Sequence, residues 1–381
     1  MGVEEEASSF LHAPRSGIKR TGTAWTAVAH IITGVIGSGV LSLAWSMAQL
    51  GWIAGPVTMF CFALVTLVST FLLCDCYRSP DPEFGPKRNR SYLEAVHETL
   101  GKRNALICGV FAQTGLYGTG IVYTITTASS MRAIQKSNCY HKEGHEATCE
   151  YGGSLYMLLF GVLQVVLSQI PDFHNLQWLS IVAAIMSVSY ASIGFALGFA
   201  QVIANGFVKG GIAGVSAYRA ADKVWNVSQA LGDIAFAYPY SLIVLEIQVY
   251  SQPLFAVIEN WIAEKYPDNR FLNKNLTYKF PWLPGFQLNL LRLCFRSIYV
   301  VSTTVIAMLF PYFNQAIGLV GGFGFWPLTV YFPVEMYFKQ KNIEAWTIKW
   351  IMLRAFSVIC FLVTAFALIG SVEGLMSARL S

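Results

Sequence analysis

Apolar residues along the chain fall in runs of about 20, and polar or proline-rich segments separate these runs. A helix of about 20 apolar residues crosses a hydrocarbon core roughly 30 Å thick, so each run predicts a membrane-spanning helix. We expect nine spans, which together form a polytopic all-α membrane helix bundle. Their approximate bounds are 24–49, 53–76, 105–134, 154–170, 177–203, 225–247, 289–310, 314–338 and 348–372.

Composition narrows the class of protein further. Hydrophobic residues make up 55% of the chain and charged residues 12%, against about 25% charged in a soluble domain. This excludes a disordered chain and makes the lipid bilayer the expected surrounding. The net charge of +5 is spread over short loops, so we expect no nucleic-acid partner. Metalloprotease and nucleophile-elbow motifs are absent, so no catalytic residue and no metal ligand is expected.

The distribution of Lys and Arg predicts the orientation. Of the 26 basic residues, 19 fall on one side when the N-terminus and every second loop are counted with the adjoining helix ends. Basic residues concentrate in cytosolic loops, which places the N-terminus in the cytosol. Residues 1–22 then form a polar cytosolic tail, and residues 23–381 form the transmembrane domain.

Two of the eight cysteines, Cys139 and Cys149, share one hydrophilic loop, which this topology places outside the cell. The outer face is oxidising, which favours a disulfide between them. Two free thiols are the alternative.

The first span contains an interruption. Gly34, Gly37 and Gly39 lie within six residues, and each glycine weakens a helix by about 1 kcal/mol relative to alanine. Irregular backbone inside the membrane must line a cavity. The freed N–H groups and the N-terminus of the second half-helix would then hold a carboxylate. The alternative is a small-residue face for close helix packing.

The sixth span contains a second interruption, formed by Gly232, Asp233 and Pro239. Proline removes a hydrogen-bond donor and disturbs the preceding turn, although Pro239 alone predicts only a kink. A buried acid is costly in a membrane and marks a functional position. Interrupted helices at matching positions of two halves favour a transporter built from inverted repeats, with the substrate at the breaks.

These residues carry a resemblance to a known family. The chain is similar to the plant amino acid permeases of the amino acid/auxin permease family from about residue 20 to its C-terminus. The strings that carry it include Gly37-Ser-Gly-Val-Leu-Ser-Leu-Ala-Trp45 and Ala230-Leu-Gly-Asp233-Ile-Ala-Phe-Ala-Tyr238, with 22–30, 48–52, 78–82, 250–255 and 325–337. The resemblance implies a broken-helix, inverted-repeat fold and proton-coupled uptake of amino acids at the plasma membrane.

The resemblance also implies roles for individual residues. Gly37, Ser38 and Gly39 would donate to the substrate carboxylate, and Asp233 with the carbonyls around Tyr238 would face its ammonium group. Asp233 as a half-helix cap is an alternative. His30 is the candidate for proton coupling because its reference pKa of about 6.5 lies in the working range, and a simple hydrogen bond to a neighbouring helix is its alternative. The proton is the coupling ion, and no other cofactor is expected.

The chain departs from the family in its number of spans. Family members have eleven, whereas this chain joins Gln248 directly to Val249 and lacks the seventh and eighth. The second repeat is therefore incomplete, while the orientation of the later spans is unchanged. A transport-deficient shortened form, acting as a sensor, a partner or a non-functional splice product, is the alternative function. We also expect a short amphipathic helix at 253–264, and snorkelling or pairing of Glu246 and Glu335 near the inner face.

Overall fold

The computed structural model describes residues 24–37, 39–76, 78–79, 81, 84–85, 87–89, 91–144, 146–169, 177–238, 275–278 and 286–380. The expected tail at 1–22, the junction at Gln248, Glu246 and the expected helix at 253–264 lie outside these residues. The helices are α1 Ala24–Val35, α2 Gly39–Asp75, α3 Tyr92–Leu100, α4 Lys102–Glu143, α5 Ser154–Ser168, α6 Gln177–Asn205, α7 Ala220–Ala237, α8 Leu290–Leu309, α9 Phe313–Gly324, a π-helix Phe325–Tyr331, α10 Phe332–Gln340 and α11 Ile348–Leu380.

The predicted class of a polytopic all-helical membrane bundle is confirmed, because the described part of every predicted span is largely helical, with the sixth span described only as far as Tyr238. Five helices are long and apolar enough to cross a membrane, and α5 and residues 293–309 of α8 are shorter apolar helices. The described strands form two short antiparallel ladders, β1 Arg78–Ser79 with β2 Lys87–Arg88 and β3 Asn275–Tyr278 with β4 Phe286–Asn289. Both ladders lie in connecting segments, so they leave the class unchanged.

The turn between the first two spans lies inside α2, at Gly51. Its φ of 83° and ψ of −178° interrupt the helix in a conformation that favours glycine. The loop after α6 packs on this turn: Trp52 N–H donates to Gly211 O (3.3 Å), and Val215 N–H donates to Ala48 O (2.9 Å). Lys223 Nζ donates to Gln49 O at 2.5 Å. The sequence analysis missed this contact, which joins two segments that the topology assigns to the outer face.

A second group of contacts joins segments that the topology assigns to the inner face. Lys341 and Asp75 form an ion pair at 3.4 Å, and Gln340 Nε2 donates to Arg78 O at 2.9 Å. Tyr92 OH donates to Leu328 O at 2.7 Å, which anchors α3 to the π-helix. Segments expected on one side of the membrane therefore contact each other at both ends of the spans.

The chain forms two compact units. The described residues of the first unit fall within Leu116–Asn175 and Val249–Phe313. In it, Tyr117 OH donates to Ser302 Oγ at 2.8 Å, and Arg296 donates to Ser168 O at 2.5 Å. These bonds tie α8 to α4 and to the end of α5. The hydroxyl-rich face around Tyr117 packs on α8.

A disulfide joins Cys139 to Cys149 in the same unit, with their Cα atoms 6.0 Å apart. It connects the last turns of α4 to the loop that leads into α5. This is the pairing expected from the outer-face position of the loop.

The second unit comprises Ile18–Gly115, Leu176–Gln248 and Asn314–Ser381, and α7 lies at its centre. Glycines of two helices bring backbones onto α7. A Cβ on Gly321 of α9 would lie 2.2 Å from Gly232 O, and one on Gly370 of α11 would lie 2.3 Å from Ser228 Oγ. Small residues four apart permit such close approach in membranes. Gly321 of the eighth span and Gly370 of the ninth span therefore serve close packing against α7.

The eighth span loses α-helical geometry at the π-helix, where Pro327 lies. The extra residue per turn changes which side chains face the neighbouring helix. Trp326 Nε1 donates to Ser357 O at 2.9 Å across to α11. One turn beyond the π-helix, Glu335 pairs with Arg354, which is the pairing expected of this acid near the inner face.

Candidate substrate and proton site

The first predicted break is present. α1 ends at Val35, Ile36 and Gly37 are bent, and α2 begins at Gly39. Gly37 and Gly39 are buried, whereas Ser38 lies outside the described residues, as does the side chain of His30. The N-terminus of α2 presents the first-turn N–H groups of a helix toward this break. The geometry is that of an anion-binding helix end.

Tyr190 of α6 closes the other side of the break. Its hydroxyl donates to the carbonyl oxygen of Ile36 and lies 3.1 Å from that of Gly37. Carbonyls at the end of a half-helix lack intrahelical partners, so a neighbouring hydroxyl stabilises the break. Tyr190 lies in an apolar run, and nothing in the local sequence pattern distinguishes it from a lipid-facing tyrosine.

The end of α7, beside the predicted second break, meets the first break. α7 ends at Ala237, two residues before Pro239, which lies outside the described residues. A Cβ on Gly39 would lie 3.0 Å from both Cα and Cβ of Ala237. The start of α2 and the end of α7 are therefore in direct contact. A helix break and a small-residue packing face were the two alternatives for these glycines. They are compatible, since Gly39 both begins the second half-helix and permits this close approach.

Asp233 lies one turn before Ala237 and is fully buried. Ser46 Oγ donates to its Oδ2 at 3.2 Å, while Oδ1 has no hydrogen-bond partner among the described residues. Oδ1 lies 3.0 Å from the position that a Cβ on Gly318 would occupy. A substrate ammonium group reaches this oxygen only if α9 moves away from α7.

Tyr238 follows the last residue of α7, and its carbonyl oxygen accepts a hydrogen bond from Thr66 Oγ1 at 2.9 Å. Thr66 also donates to Phe62 O at 3.0 Å, so its hydroxyl is shared between the two carbonyls. The break of the sixth span is thus held by the second span.

The structure brings Gly37, Gly39, Asp233 and Tyr238 together around the two helix ends. It adds two residues that the sequence analysis did not select, Tyr190 and Ser46. Ser42 and Ser46 are four residues apart and share a face of α2, so a signal existed for Ser46. Asp233 of α7 was not recognisable as the partner of Ser46 without the fold.

A helix break that contacts the end of a second helix, inside a bundle of membrane-capable helices, is an arrangement typical of membrane transporters. The chain matches the family described as transmembrane amino acid transporter protein over residues 20–250 and 241–377. The chain belongs to this family.

Relatives in Arabidopsis thaliana carry amino acid permease names. The chain is 46% identical to probable amino acid permease 7 over 465 positions, covering all of both chains. It is 43% identical to amino acid permease 2, covering 94% of this chain and 89% of the relative. It is 26% identical to lysine histidine transporter-like 1, covering 86% and 84%. These names denote transport and not catalysis.

The comparisons also bear on the shortened second repeat. The alignment with the first of these relatives runs over 465 positions, whereas this chain has 381 residues, so 84 positions have no counterpart here. The two family matches meet at 241–250, the region of the Gln248–Val249 junction. Both findings are compatible with a chain that lacks two spans and the loops beside them.

Proposed function

We propose that the protein takes up amino acids across the plasma membrane together with protons. The observation that carries this proposal is the contact between the two broken helices at Gly39 and Ala237. A zwitterionic substrate needs donors and acceptors at one place, and a helix N-terminus beside a helix C-terminus provides both.

The substrate carboxylate binds the first turn of α2, at Gly37, Ser38 and Gly39. The ammonium group binds carbonyls at the end of α7, around Tyr238. Opposite ends of two helix dipoles then face the two charges of the same molecule, which orients the substrate between them. Selectivity for the side chain of the substrate depends on residues other than these backbone groups.

Proton coupling supplies the driving force. One proton moving inward across 100 mV releases about 2.3 kcal/mol, and each unit of pH difference adds about 1.36 kcal/mol. A cell with a negative interior and an acidic exterior thereby concentrates a neutral amino acid many-fold. No further cofactor is required.

Uptake of radiolabelled amino acids by cells that express the chain tests this function. We expect uptake above that of the empty vector, greater at external pH 5 than at pH 7, because the inward proton gradient is steeper. Absence of uptake at both values, with the chain present at the cell surface, contradicts the proposal.

We further propose that the N-terminus is cytosolic, so that the loop after α6 is outside and the loop between α10 and α11 is inside. A cysteine in place of Ser216, which is exposed, should react with a membrane-impermeant maleimide in intact cells. A cysteine in place of the exposed Glu344 should react only after permeabilisation. The unmodified chain, with its free cysteines Cys61, Cys74 and Cys294 exposed, is the control. Labelling of the Glu344 variant in intact cells contradicts this orientation.

The second candidate function is that of a transport-deficient shortened form. The 84 unmatched alignment positions favour it, because they are compatible with missing helices of the second repeat. Such a form, present as a sensor or a partner, would change uptake by a co-expressed full-length relative without any uptake of its own. Measuring uptake with and without the co-expressed relative distinguishes the two candidates.

A further inference from the structure

Asp233 is the buried acid of the interrupted sixth span, and no described residue places a positive charge beside it. Its side chain is fully buried, and Oδ1 has no hydrogen-bond partner among the described residues. The partner of Oδ2 is the neutral hydroxyl of Ser46. A carboxylate in such a place is strongly disfavoured, whereas a carboxylic acid is neutral and can itself donate.

The helices packed on α7 confirm this absence within their described parts. The charged residue of α2 is Asp75, which lies at the far end of that helix. The helix α9 contains no charged residue. On α11 the charged residues are Lys349, Arg354, Glu373 and Arg379. Glu373 is the nearest of these in sequence to Ser371, and it adds negative charge. On α7 itself, Asp222 and Lys223 lie in the first turn, about 15 Å along the helix from Asp233.

Polar neutral groups surround the free oxygen instead. A Cβ on Gly318 would lie 3.0 Å from Asp233 Oδ1 and 2.6 Å from Ser371 Oγ. The carboxyl and this hydroxyl therefore share one small space beside the backbone of α9. A proton fits this space, and a bulky ammonium group does not.

We propose that Asp233 is the residue that binds the coupling proton. This rests on the proposed proton-coupled function. An O–H bond forms on the carboxylate with a proton from external water, and the same bond breaks when the proton is released to the cytosol. No redox partner takes part.

The position of Asp233 explains how the proton is coupled to the substrate. Asp233 lies one turn from Ala237, and Ala237 touches Gly39, where the substrate carboxylate binds. A negative Asp233 repels that carboxylate, and a protonated Asp233 does not. The substrate therefore binds after the proton, which is the order that a symporter needs.

Binding of a radiolabelled neutral amino acid to the purified full chain, measured from pH 5 to pH 8, tests the proposal without requiring transport. In the unmodified chain the affinity should fall by up to about tenfold per pH unit in the upper part of this range, because one proton is linked to binding. Asp233→Asn is neutral at every pH, so its affinity should be retained and independent of pH. Asp222→Asn is the matched control on the same helix, since the Asp222 side chain is 46% exposed and pairs with Arg219 among the described residues, and it should keep the pH dependence.

Infrared difference spectroscopy on the same preparations reads the proton directly. The carbonyl-stretch band of a protonated carboxylic acid should titrate in the unmodified chain and in Asp222→Asn, and should be absent in Asp233→Asn. Ser46→Ala, which removes the partner of Oδ2 but keeps the acid, should move the midpoint of this titration and retain the band. These two readouts still decide the proposal if Asp233→Asn proves poorly folded.

The outcomes separate this proposal from the function on which it rests. If Asp233→Asn keeps the pH dependence of the unmodified chain, the proposal is overturned while proton-linked binding stands, and His30→Gln then tests the sequence-based candidate. If the unmodified chain binds no amino acid but its infrared band disappears in Asp233→Asn, Asp233 is a proton site and the proposed function fails.

Discussion

Insertion of the two absent spans between Gln248 and Val249 is expected to raise amino acid uptake on the order of 100-fold. The inserted segment is taken from the 46% identical relative, whose alignment leaves 84 positions without a counterpart in this chain. Alternating access requires two complete repeats that move against each other. Displacement of binding groups by about 1 Å, when supporting helices are missing, is enough to cost this much activity.

The matched control is an insertion of the same length composed of two unrelated apolar helices. It preserves the orientation of the later spans, because the number of added spans is even, but it does not supply the packing of the second repeat. Uptake rates are normalised to the amount of chain at the cell surface. If the unmodified chain already matches the extended chain, the absent spans are not needed for transport.

The positions of the helix breaks could be predicted because the signals are local. Gly34, Gly37 and Gly39 weaken the first span within two turns, and the structure bends at Ile36 and Gly37. Pro239 predicts an interruption inside the sixth span, and α7 ends at Ala237, while Pro239 and the rest of that span lie outside the described residues. Apolar runs likewise predicted each span, since run length and bilayer thickness determine where a helix can cross.

The contacts between spans could not be predicted in the same way. Tyr190 reaches the carbonyls of Ile36 and Gly37, more than 150 positions away in sequence. Lys223 reaches Gln49 O, although a lysine beside an outer loop usually indicates only a solvated surface. Such pairs depend on which helices become neighbours, and a single sequence contains no direct record of that.

The environment of Asp233 could be predicted in part. An acid inside an apolar run predicts a functional position, and the sequence analysis selected it for that reason. Its assignment to the substrate ammonium came from the family resemblance alone. The enclosure of Oδ1 beside Gly318 depends on how closely α9 approaches α7, and that distance is determined by glycines on both helices.

Gly321→Ala is expected to destabilise the protein by about 1–3 kcal/mol, the usual cost of overpacking. The added Cβ would lie 2.2 Å from Gly232 O and 2.6 Å from Phe236 N, so α9 and α7 must separate. Because Gly318 precedes Gly321 by one turn, the separation also opens the space beside Asp233. We expect a lower midpoint of thermal unfolding for the purified protein and weaker amino acid binding.

Gly198→Ala on α6 is the matched control for this prediction, because a Cβ at Gly198 would meet nothing within 4 Å. Alanine is favoured over glycine inside a helix by about 1 kcal/mol. The same substitution should therefore leave stability unchanged or raise it at Gly198 and lower it at Gly321. Equal effects at the two positions would show that helix propensity, and not the contact between α7 and α9, determines the response. Opposite signs would identify the glycine contact as the feature that holds α9 against α7 and keeps Asp233 enclosed.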